Sequence, residues 1–205
     1  PRAADVPEGS GTVVVRSGDT YTFDPADIRT LRPDLFREPH ISVFDVLAHL
    51  GETGQIDLTY HFDVGMDTHV IDQINGVAGW WYVAYYSNGW PEPNTFRMDH
   101  YPYKNRMTIQ LQEVAQDELE PIYQSFRDET QRLEANGGKI IIPSLVIQSP
   151  AGDHVFEDVT VTPHDVRADV LQPGVPTALD ALINLWEAGV LPELKLTWYE
   201  RIGSA

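Results

Sequence analysis

Cysteine is absent from all 205 residues of the chain, and that absence excludes several kinds of site at once. A chain without thiols forms no disulfide, no thiolate metal site and no covalent c-type haem attachment, and it has no cysteine nucleophile. The absence alone leaves the cellular compartment open.

Basic residues and long hydrophobic runs are also scarce. Lys and Arg number 14 against 31 Asp and Glu, which gives a formal net charge of -17 at pH 7. Such a surface repels polyanions, so we do not expect nucleic-acid binding. The longest apolar stretches, such as residues 77–86, are too short to cross a bilayer, and we expect no membrane span.

The opening segment, residues 1–11, has no Met and is rich in Pro, Gly and small side chains. This composition is typical of an extended segment left after a signal peptide is removed, although a trimmed start has the same composition. Together with the acidic character it favours an exported protein, extracellular or periplasmic. A salty habitat is the alternative explanation of the acidity.

The sequence does contain an internal repeat. Residues 12–23 are TVVVRSGDTYTF and residues 144–156 are SLVIQSPAGDHVF. Each stretch has an apolar strand, a Ser-containing turn with Gly-Asp, and a short second strand that ends in Phe. We therefore expect two β-hairpins.

A helix follows each hairpin in the predicted repeat. Residues 42–54, SVFDVLAHLGETG, align without a gap to residues 177–189, TALDALINLWEAG. Ser42 and Thr177 are predicted N-caps, an Asp follows in each first turn, and a Gly ends each helix. The apolar stripes correspond in the order Phe44, Leu47 and Leu50 against Leu179, Leu182 and Leu185.

Further strands and a linking helix complete the predicted elements. An alternating segment after each helix, residues 56–65 and 194–203, predicts a half-buried strand, and the first copy continues to a closing strand at residues 106–111. Residues 113–136 predict a linking helix, whose apolar stripe packs on one of the two units or forms a seat for a partner helix. That stripe comprises Leu119, Ile122, Phe126 and Leu133.

The first copy resembles the β-grasp module found at the C-terminus of transcobalamin and intrinsic factor and in bacterial surface proteins. The similar motifs are a helix start at 43–47, an Ile-Asn-Gly turn at 74–76, a Trp-Trp-Tyr run at 80–82 and an Asn-Gly turn at 88–89. The resemblance covers residues 10–111 and, for its first half, residues 140–205. The insertion WPEPNTFRMD departs from the family, which has a Gly-Asp turn before its last strand.

The expected fold is therefore α+β, with two β-grasp-like units that each combine a mixed sheet with one packed helix. The second unit is incomplete, and a helix joins the two. We expect an extended segment at residues 1–11, a first unit at 12–111, the linking helix at 112–138 and the second unit at 139–205.

A dense aromatic cluster marks the predicted hairpin of the first unit. It comprises Trp80, Trp81, Tyr82, Tyr85, Tyr86 and Trp90. Because successive strand residues face opposite sides, some of these rings lie outside the unit's own core unless the linking helix or the second unit covers them. Exposed Trp and Tyr anchor protein interfaces and flat-ring or sugar ligands, so we predict a ligand or partner site here, with Asn75 of the neighbouring turn.

Known enzyme and metal motifs are missing. His61, His69 and His100 have several Asp nearby, but no zinc or copper spacing and no Asp-x-Asp-x-Asp-Gly calcium loop occurs. The sequence also has no Gly-x-Ser-x-Gly elbow and no Gly-rich phosphate loop. We therefore predict no metal site and no catalytic residue.

The second copy lacks the Ile-Asn-Gly hairpin and the closing strand of the first. Three explanations are open: the chain is truncated, the small unit is complete once packed on the first copy, or a partner polypeptide supplies the missing strands. We adopt the third as a hypothesis, because a bare strand edge invites pairing. The predicted partner-strand edge comprises Leu194, Leu196, Trp198 and Ile202.

The function that follows is a non-catalytic, exported binding or assembly module, docked into a larger extracellular or periplasmic complex or filament by a protein partner or by self-association. The alternative is a small-molecule carrier that holds a corrinoid or a glycan on the Trp-Tyr hairpin. An enzyme subunit with an unrecognised site is a further alternative. The first interpretation requires no cofactor; a corrinoid is implied only by the family resemblance.

Overall fold

A computed structural model describes residues 11–15, 19–85, 91–93, 96–150 and 152–198, and for residues 80–85 and 91–93 it describes the backbone alone. The strands are β1 Gly11–Val15, β2 Asp19–Phe23, β3 Leu58–Asp63, β4 Thr68–Ile74, β5 Trp80–Tyr85, β6 Pro91–Pro93, β7 Thr108–Glu113, β8 Ile140–Ser149 and β9 Gly152–Val161. The helices are α1 Val43–Glu52, α2 Gln116–Ala135 and α3 Ala178–Glu187, with short 3-10 turns at Pro25–Asp27 and Met98–His100. The fold is α+β, as predicted.

The first unit is built on a five-stranded mixed sheet with the order β2-β1-β7-β5-β6. The central strands β1 and β7 are parallel, and the other neighbours are antiparallel. β3 and β4 form a separate two-stranded sheet. Along the chain this unit contains the β1-β2 hairpin, helix α1 and, as its last strand, β7, which lies parallel to β1.

Helix α1 supplies much of the core of the first unit. Ser42 caps it as predicted: the Asp45 amide donates to the Ser42 hydroxyl (3.1 Å), and the Ser42 amide donates to the Asp45 carboxylate (2.6 Å). The predicted stripe of Phe44, Leu47 and Leu50 is completely buried. These side chains belong to a cluster of nineteen buried residues that also includes the inward faces of β1 and β7.

Helix α2 is the predicted linking helix, shortened by a few residues at its start. Its first half packs on the first unit: Leu119 is buried, and the Arg97 guanidinium lies 4.4 Å from the centroid of the Phe126 ring. Arg97 also pairs with Glu129 at 3.2 Å, whereas Leu133 near the end of the helix is exposed. No helix in the described ranges is long and apolar enough to cross a membrane.

The described part of the second unit repeats the first three elements. β8 and β9 form a two-stranded antiparallel sheet, and α3 packs on β9. Thr177 and Asp180 form the same capping box as Ser42 and Asp45. Among the described residues this unit's core cluster has four fully buried apolar side chains, and five others that contact it are partly buried. A two-stranded hairpin is at best marginally stable alone, so the packing of α3 on it matters for the stability of this unit.

The predicted strand at residues 194–203 is not part of any sheet where it is described. Residues 194–198 have no strand pairing, and residues 199–203 lie outside the described residues. The first unit gives the physical reason: its corresponding strand β3 pairs with β4 and with no strand of the main sheet. The described part of the second unit has no counterpart of β4, so the alternating sequence has no edge to pair with.

The two units meet at equivalent residues. Phe36 and Leu171 form an isolated antiparallel bridge, in which the Arg37 amide donates to the residue 170 carbonyl (2.9 Å) and the Gln172 amide donates to the Leu35 carbonyl (2.8 Å). Phe36 and Leu171 are 135 positions apart, the offset that relates Ser42 to Thr177, and the same offset exchanges the two flanking hydrogen bonds. The contact therefore has a local two-fold pseudo-symmetry, with Phe36 buried at its centre.

Candidate functional site

An arginine-aspartate fork precedes the helix in each unit. In the first, Arg32 Nε donates to Asp34 Oδ1 (2.9 Å) and Nη2 donates to Asp34 Oδ2 (2.7 Å). In the second, Arg167 Nε donates to Asp169 Oδ1 (3.0 Å) and Nη2 donates to Asp169 Oδ2 (3.2 Å). We call these the Arg32 fork and the Arg167 fork. Bidentate pairs of this kind fix the plane of the guanidinium group.

Two further carboxylates complete the Arg32 fork. Asp67, in the turn between β3 and β4, accepts from Nη2 at 3.1 Å through Oδ1, and its carbonyl accepts from Nη1 at 3.1 Å. Asp99, in the 3-10 turn before β7, accepts from Nη1 at 3.2 Å. The guanidinium also lies 5.6 Å from the centroid of the Phe62 ring on β3. Arg32 thus ties the β3-β4 sheet and the approach to β7 onto the segment before α1.

Asp99 is completely buried, and both oxygens of its carboxylate accept hydrogen bonds. Thr68 Oγ1 donates to its Oδ1, while the backbone amide of His69 (2.9 Å) and His69 Nδ1 (2.8 Å) both contact its Oδ2. Burial alone would raise the pKa of this carboxyl, but hydrogen bonds from His69 and Thr68 outweigh it and lower the pKa to about 2. Asp99 is therefore ionised at neutral pH.

Arg32 stays protonated among three carboxylates. Burial would lower the pKa of Arg32, but the hydrogen bond with Asp34 and the charges of Asp67 and Asp99 raise it above its ordinary value. Burial lowers the pKa of the neighbouring His100, and the positive charge of Arg32 lowers it further. His100 Nε2 lies 2.7 Å from the Asp67 carbonyl and 2.9 Å from Arg32 Nη1.

We call Arg32 with Asp34, Asp67, Asp99 and His100 the Arg32 cluster. The cavity beside this cluster is too small for a substrate. The cavity beside it, lined by residues that include Thr68, His69 and Tyr123, has a volume of about 10 Å³, enough for one water at most. A larger opening lies along the start of α2, but residues of that helix alone line it, so it is an open surface. No group of His, Asp and Glu in the described part of the chain has the arrangement of a metal site.

The Arg167 fork is only partly built. Among the described residues, Asp169 is the carboxylate that hydrogen-bonds Arg167, and no counterpart of Asp67 or Asp99 approaches it. Its guanidinium lies 5.5 Å from the centroid of the Trp198 ring, in the segment that corresponds to β3. The stacking on an aromatic ring is thus repeated, and the additional carboxylates are not.

The second unit is open along β8. β8 corresponds to β1, but β1 has β7 on its other side and β8 has no second neighbour among the described strands. The inward residues differ accordingly: Val13 and Val15 of β1 are buried, whereas their counterparts Leu145 and Ile147 are half-buried.

Helix α3 is exposed in the same way. Phe44 in α1 is covered by the rings of Tyr60 (5.0 Å between centroids) and His69 (4.9 Å) from β3 and β4. Its counterpart Leu179 and the next stripe residue, Leu182, are half-buried. The uncovered surface of the second unit therefore lies where the later strands of the first unit lie.

The predicted aromatic site can be placed only by its backbone. Residues 80–85 form β5, with Trp80 opposite Glu113 and Tyr85 opposite Thr108 of β7. The side chains of Trp80, Trp81, Tyr82 and Tyr85 lie outside the described part of the structure, as do Tyr86 and Trp90 entirely. Their role as a binding site stays a prediction.

Asn75 has a structural contact in its turn. It has a positive φ of 51°, and its side-chain oxygen accepts from the Asp57 amide at 2.9 Å. This contact fixes the start of β3.

The predicted partner edge does not form a strand where it is described. Leu194, Leu196 and Trp198 lie in a segment outside every described sheet, and Ile202 is outside the described residues. Among the described strands, the edge that corresponds to an occupied position in the first unit is that of β8. The sequence analysis placed the open edge after the helix because it took that segment to be part of the main sheet.

The two forks were not predicted from the sequence, although the internal repeat contains a signal for them. Extending the gap-free alignment of Ser42 with Thr177 towards the N-terminus places Arg32 on Arg167 and Asp34 on Asp169, at the same offset of 135. The intervening sequences differ enough to hide the match.

Comparisons with known proteins add no relative. No protein-family model matches the chain, and no curated protein and no solved structure is significantly similar to it.

Proposed function

We propose that this protein is a binding and assembly module whose second unit takes up a β-strand from another polypeptide, alongside β8. The single observation that carries the proposal is the difference between two equivalent strands: β1 has a parallel neighbour, and β8 has none among the described strands. Strand addition to an open edge gives main-chain hydrogen bonds and pockets for alternate side chains.

The apolar surface beside the edge supports the same proposal. Val146 and Val155 form a cross-strand pair on the hairpin, and they are 50% and 58% exposed. With the half-buried Leu179 and Leu182 of α3, they leave apolar surface on both sides of the second unit. A partner that supplies a strand and a few large apolar side chains would bury part of this surface at roughly 25 cal/mol per Å².

The acidic composition supports an exported location for such a module, in an extracellular or periplasmic assembly. The relationship to the β-grasp module of transcobalamin and bacterial surface proteins is part of the proposal, and the strand order β2-β1-β7-β5 supports it. The alternative of a corrinoid or glycan on the aromatic hairpin depends on side chains outside the described part of the structure and stays a prediction.

Sedimentation velocity tests the proposal on the chain alone. A free apolar edge pairs with other copies when its partner is absent, so we expect association that grows with concentration between roughly 10 and 200 μM. Ile147→Lys places a charge on the inward face of the free edge and should abolish the association. Thr160→Lys adds the same charge at an exposed position of β9 outside that apolar surface and should leave the association unchanged.

A wild-type chain that stays monomeric across this range, or an Ile147→Lys variant that associates as strongly as the wild type, would count against strand uptake at β8. Far-UV circular dichroism on both variants checks that each remains folded.

A further inference from the structure

The half-built Arg167 fork indicates what the partner of the second unit carries. On the basis of the proposed function, we propose that Arg167 binds a carboxylate that the incoming polypeptide supplies. The chain builds the two forks from equivalent residues, and the Arg32 fork has contacts that the Arg167 fork lacks among the described residues.

The two guanidinium groups are held in the same way. Each donates from Nε and Nη2 to the Asp two residues later, and each stacks against an aromatic ring of the segment that follows the helix, at 5.6 Å for Arg32 and 5.5 Å for Arg167. These two attachments leave Nη1 as the open edge of each group. In the first unit that edge meets Asp99 and the Asp67 carbonyl.

The carboxylates that complete the Arg32 fork come from later elements of the first unit. Asp67 lies in the turn between β3 and β4, and Asp99 lies nine residues before Thr108, the first residue of β7. The described part of the second unit has neither element. A polypeptide that occupies the position of β7 beside β8 would therefore carry its carboxylate to Arg167 from the residues before its strand.

Burial favours an acceptor at the Nη1 edge of Arg167. Arg32 is 4% exposed in the completed unit, and three carboxylates contact it there. A partner that covers Arg167 without bringing an acceptor would leave the Nη1 donors unsatisfied in a dry environment, which costs free energy. A carboxylate satisfies these donors best, because a charge-assisted hydrogen bond is stronger than a neutral one. The fork thus favours acidic strands over neutral strands of equal hydrophobicity.

The partner that fits is an extended segment with two features. It has apolar residues at alternate positions, to cover Leu145 and Ile147 as Ile109 and Leu111 cover Val13 and Val15. It also has an Asp about nine residues before the strand, by analogy with Asp99. Residues 97–113 of this chain have both features and provide a synthetic probe.

The test measures binding of a fluorescently labelled peptide of residues 97–113 to the intact chain by anisotropy. A second peptide carries Asp99→Asn. We expect the acidic peptide to bind wild-type protein about tenfold more tightly than the Asn peptide, the worth of one charge-assisted pair. Arg167→Met should bind both peptides equally weakly, and Arg167→Lys should recover part of the preference. Ile147→Lys should abolish binding of both.

The outcomes separate the two proposals. If the wild-type chain binds both peptides with equal affinity and Ile147→Lys removes that binding, the proposal that Arg167 binds a carboxylate is wrong. The proposal that a strand binds beside β8 is then supported. If neither peptide binds wild-type protein at 200 μM (roughly the weakest affinity of interest), strand uptake beside β8 is itself contradicted. The ratio of the two affinities is independent of a partial loss of folded protein in any variant.

Discussion

Replacing Asp99 by Asn tests whether the Arg32 cluster stabilises the first unit. The substitution removes the charge that faces Arg32, and its amide group places a donor where at least two protein donors already point. Removing one partner of a buried charge pair costs about 3 kcal/mol or more, so we expect a loss of that order at pH 7. The matched control is Asp72→Asn, whose pair with His61 (3.0 Å) is half exposed and should contribute below about 1 kcal/mol.

The pH dependence of that loss sharpens the test. The pKa of Asp99 is lowered from 3.8 to about 2 in the folded protein. A carboxyl with a depressed folded pKa contributes stability above its unfolded pKa and loses it as the pH falls through the folded pKa. A shift of this size corresponds to about 2 kcal/mol. The stability gap between wild type and Asp99→Asn should therefore narrow by about 2 kcal/mol between pH 4 and pH 2.

The assay is urea unfolding followed by circular dichroism at pH values from 7 to 2, with the free energy of unfolding extrapolated for each variant. The reasoning about the buried cluster would be refuted if wild type and Asp99→Asn differed in free energy of unfolding by less than about 1 kcal/mol at pH 7. It would also be refuted if that difference did not change between pH 4 and pH 2.

Three other predictions follow from contacts elsewhere in the chain. Phe36→Ala removes a buried ring at the contact between the units and should cost about 3 kcal/mol in urea unfolding, with proteolysis of the second unit accelerated. Gly79→Ala should cost more than about 2 kcal/mol, because Gly79 has a φ of 79° and a Cβ there would collide with a backbone carbonyl; Gly76→Ala, at a φ of 78° with open space, should cost about 1 kcal/mol. NMR titration should give His164 a pKa above its ordinary value, raised by its hydrogen bond to a glutamate, and His40 a pKa below it, lowered by burial; the reverse order would contradict both assignments.

Local signals in the sequence predicted the elements with the strongest caps and periodicity. Ser42 and Thr177 begin their helices with capping boxes, and the linking helix packs its first half on the first unit as its stripe predicts. These features depend on residues a few positions apart, which is why the sequence alone reveals them.

Long-range pairing explains what sequence reasoning missed. An alternating segment such as residues 194–198 predicts the ability to form a strand, but a strand exists only where another edge is available to it. The Arg32 cluster joins residues separated by 67 positions, Arg32 and Asp99, and no local pattern indicates such a contact. The same holds for the contact of Phe36 with Leu171. The gap-free alignment shows that the two residues are equivalent, but it does not show that they are in contact.

The equivalent cap carboxylates reveal the difference between the units in their chemistry. Burial in the dense first unit raises the pKa of Asp45 despite its hydrogen bonds. At Asp180 burial acts in the same direction, but hydrogen bonds from Thr177 and His164 outweigh it and lower the pKa. Equivalent capping boxes thus have carboxyl pKa values shifted in opposite directions, because the balance between burial and hydrogen bonding differs between them.

Amide hydrogen exchange along β8, measured on the monomeric chain with and without the peptide of residues 97–113, tests the central claim most directly. Every second amide of a free edge strand points away from its partner, so we predict that alternate β8 amides exchange fast in the monomer and become protected when the peptide is added. The amides of β1 should be protected throughout. Uniform protection of β8 without any partner would contradict the account, because it would mean that the edge is already covered.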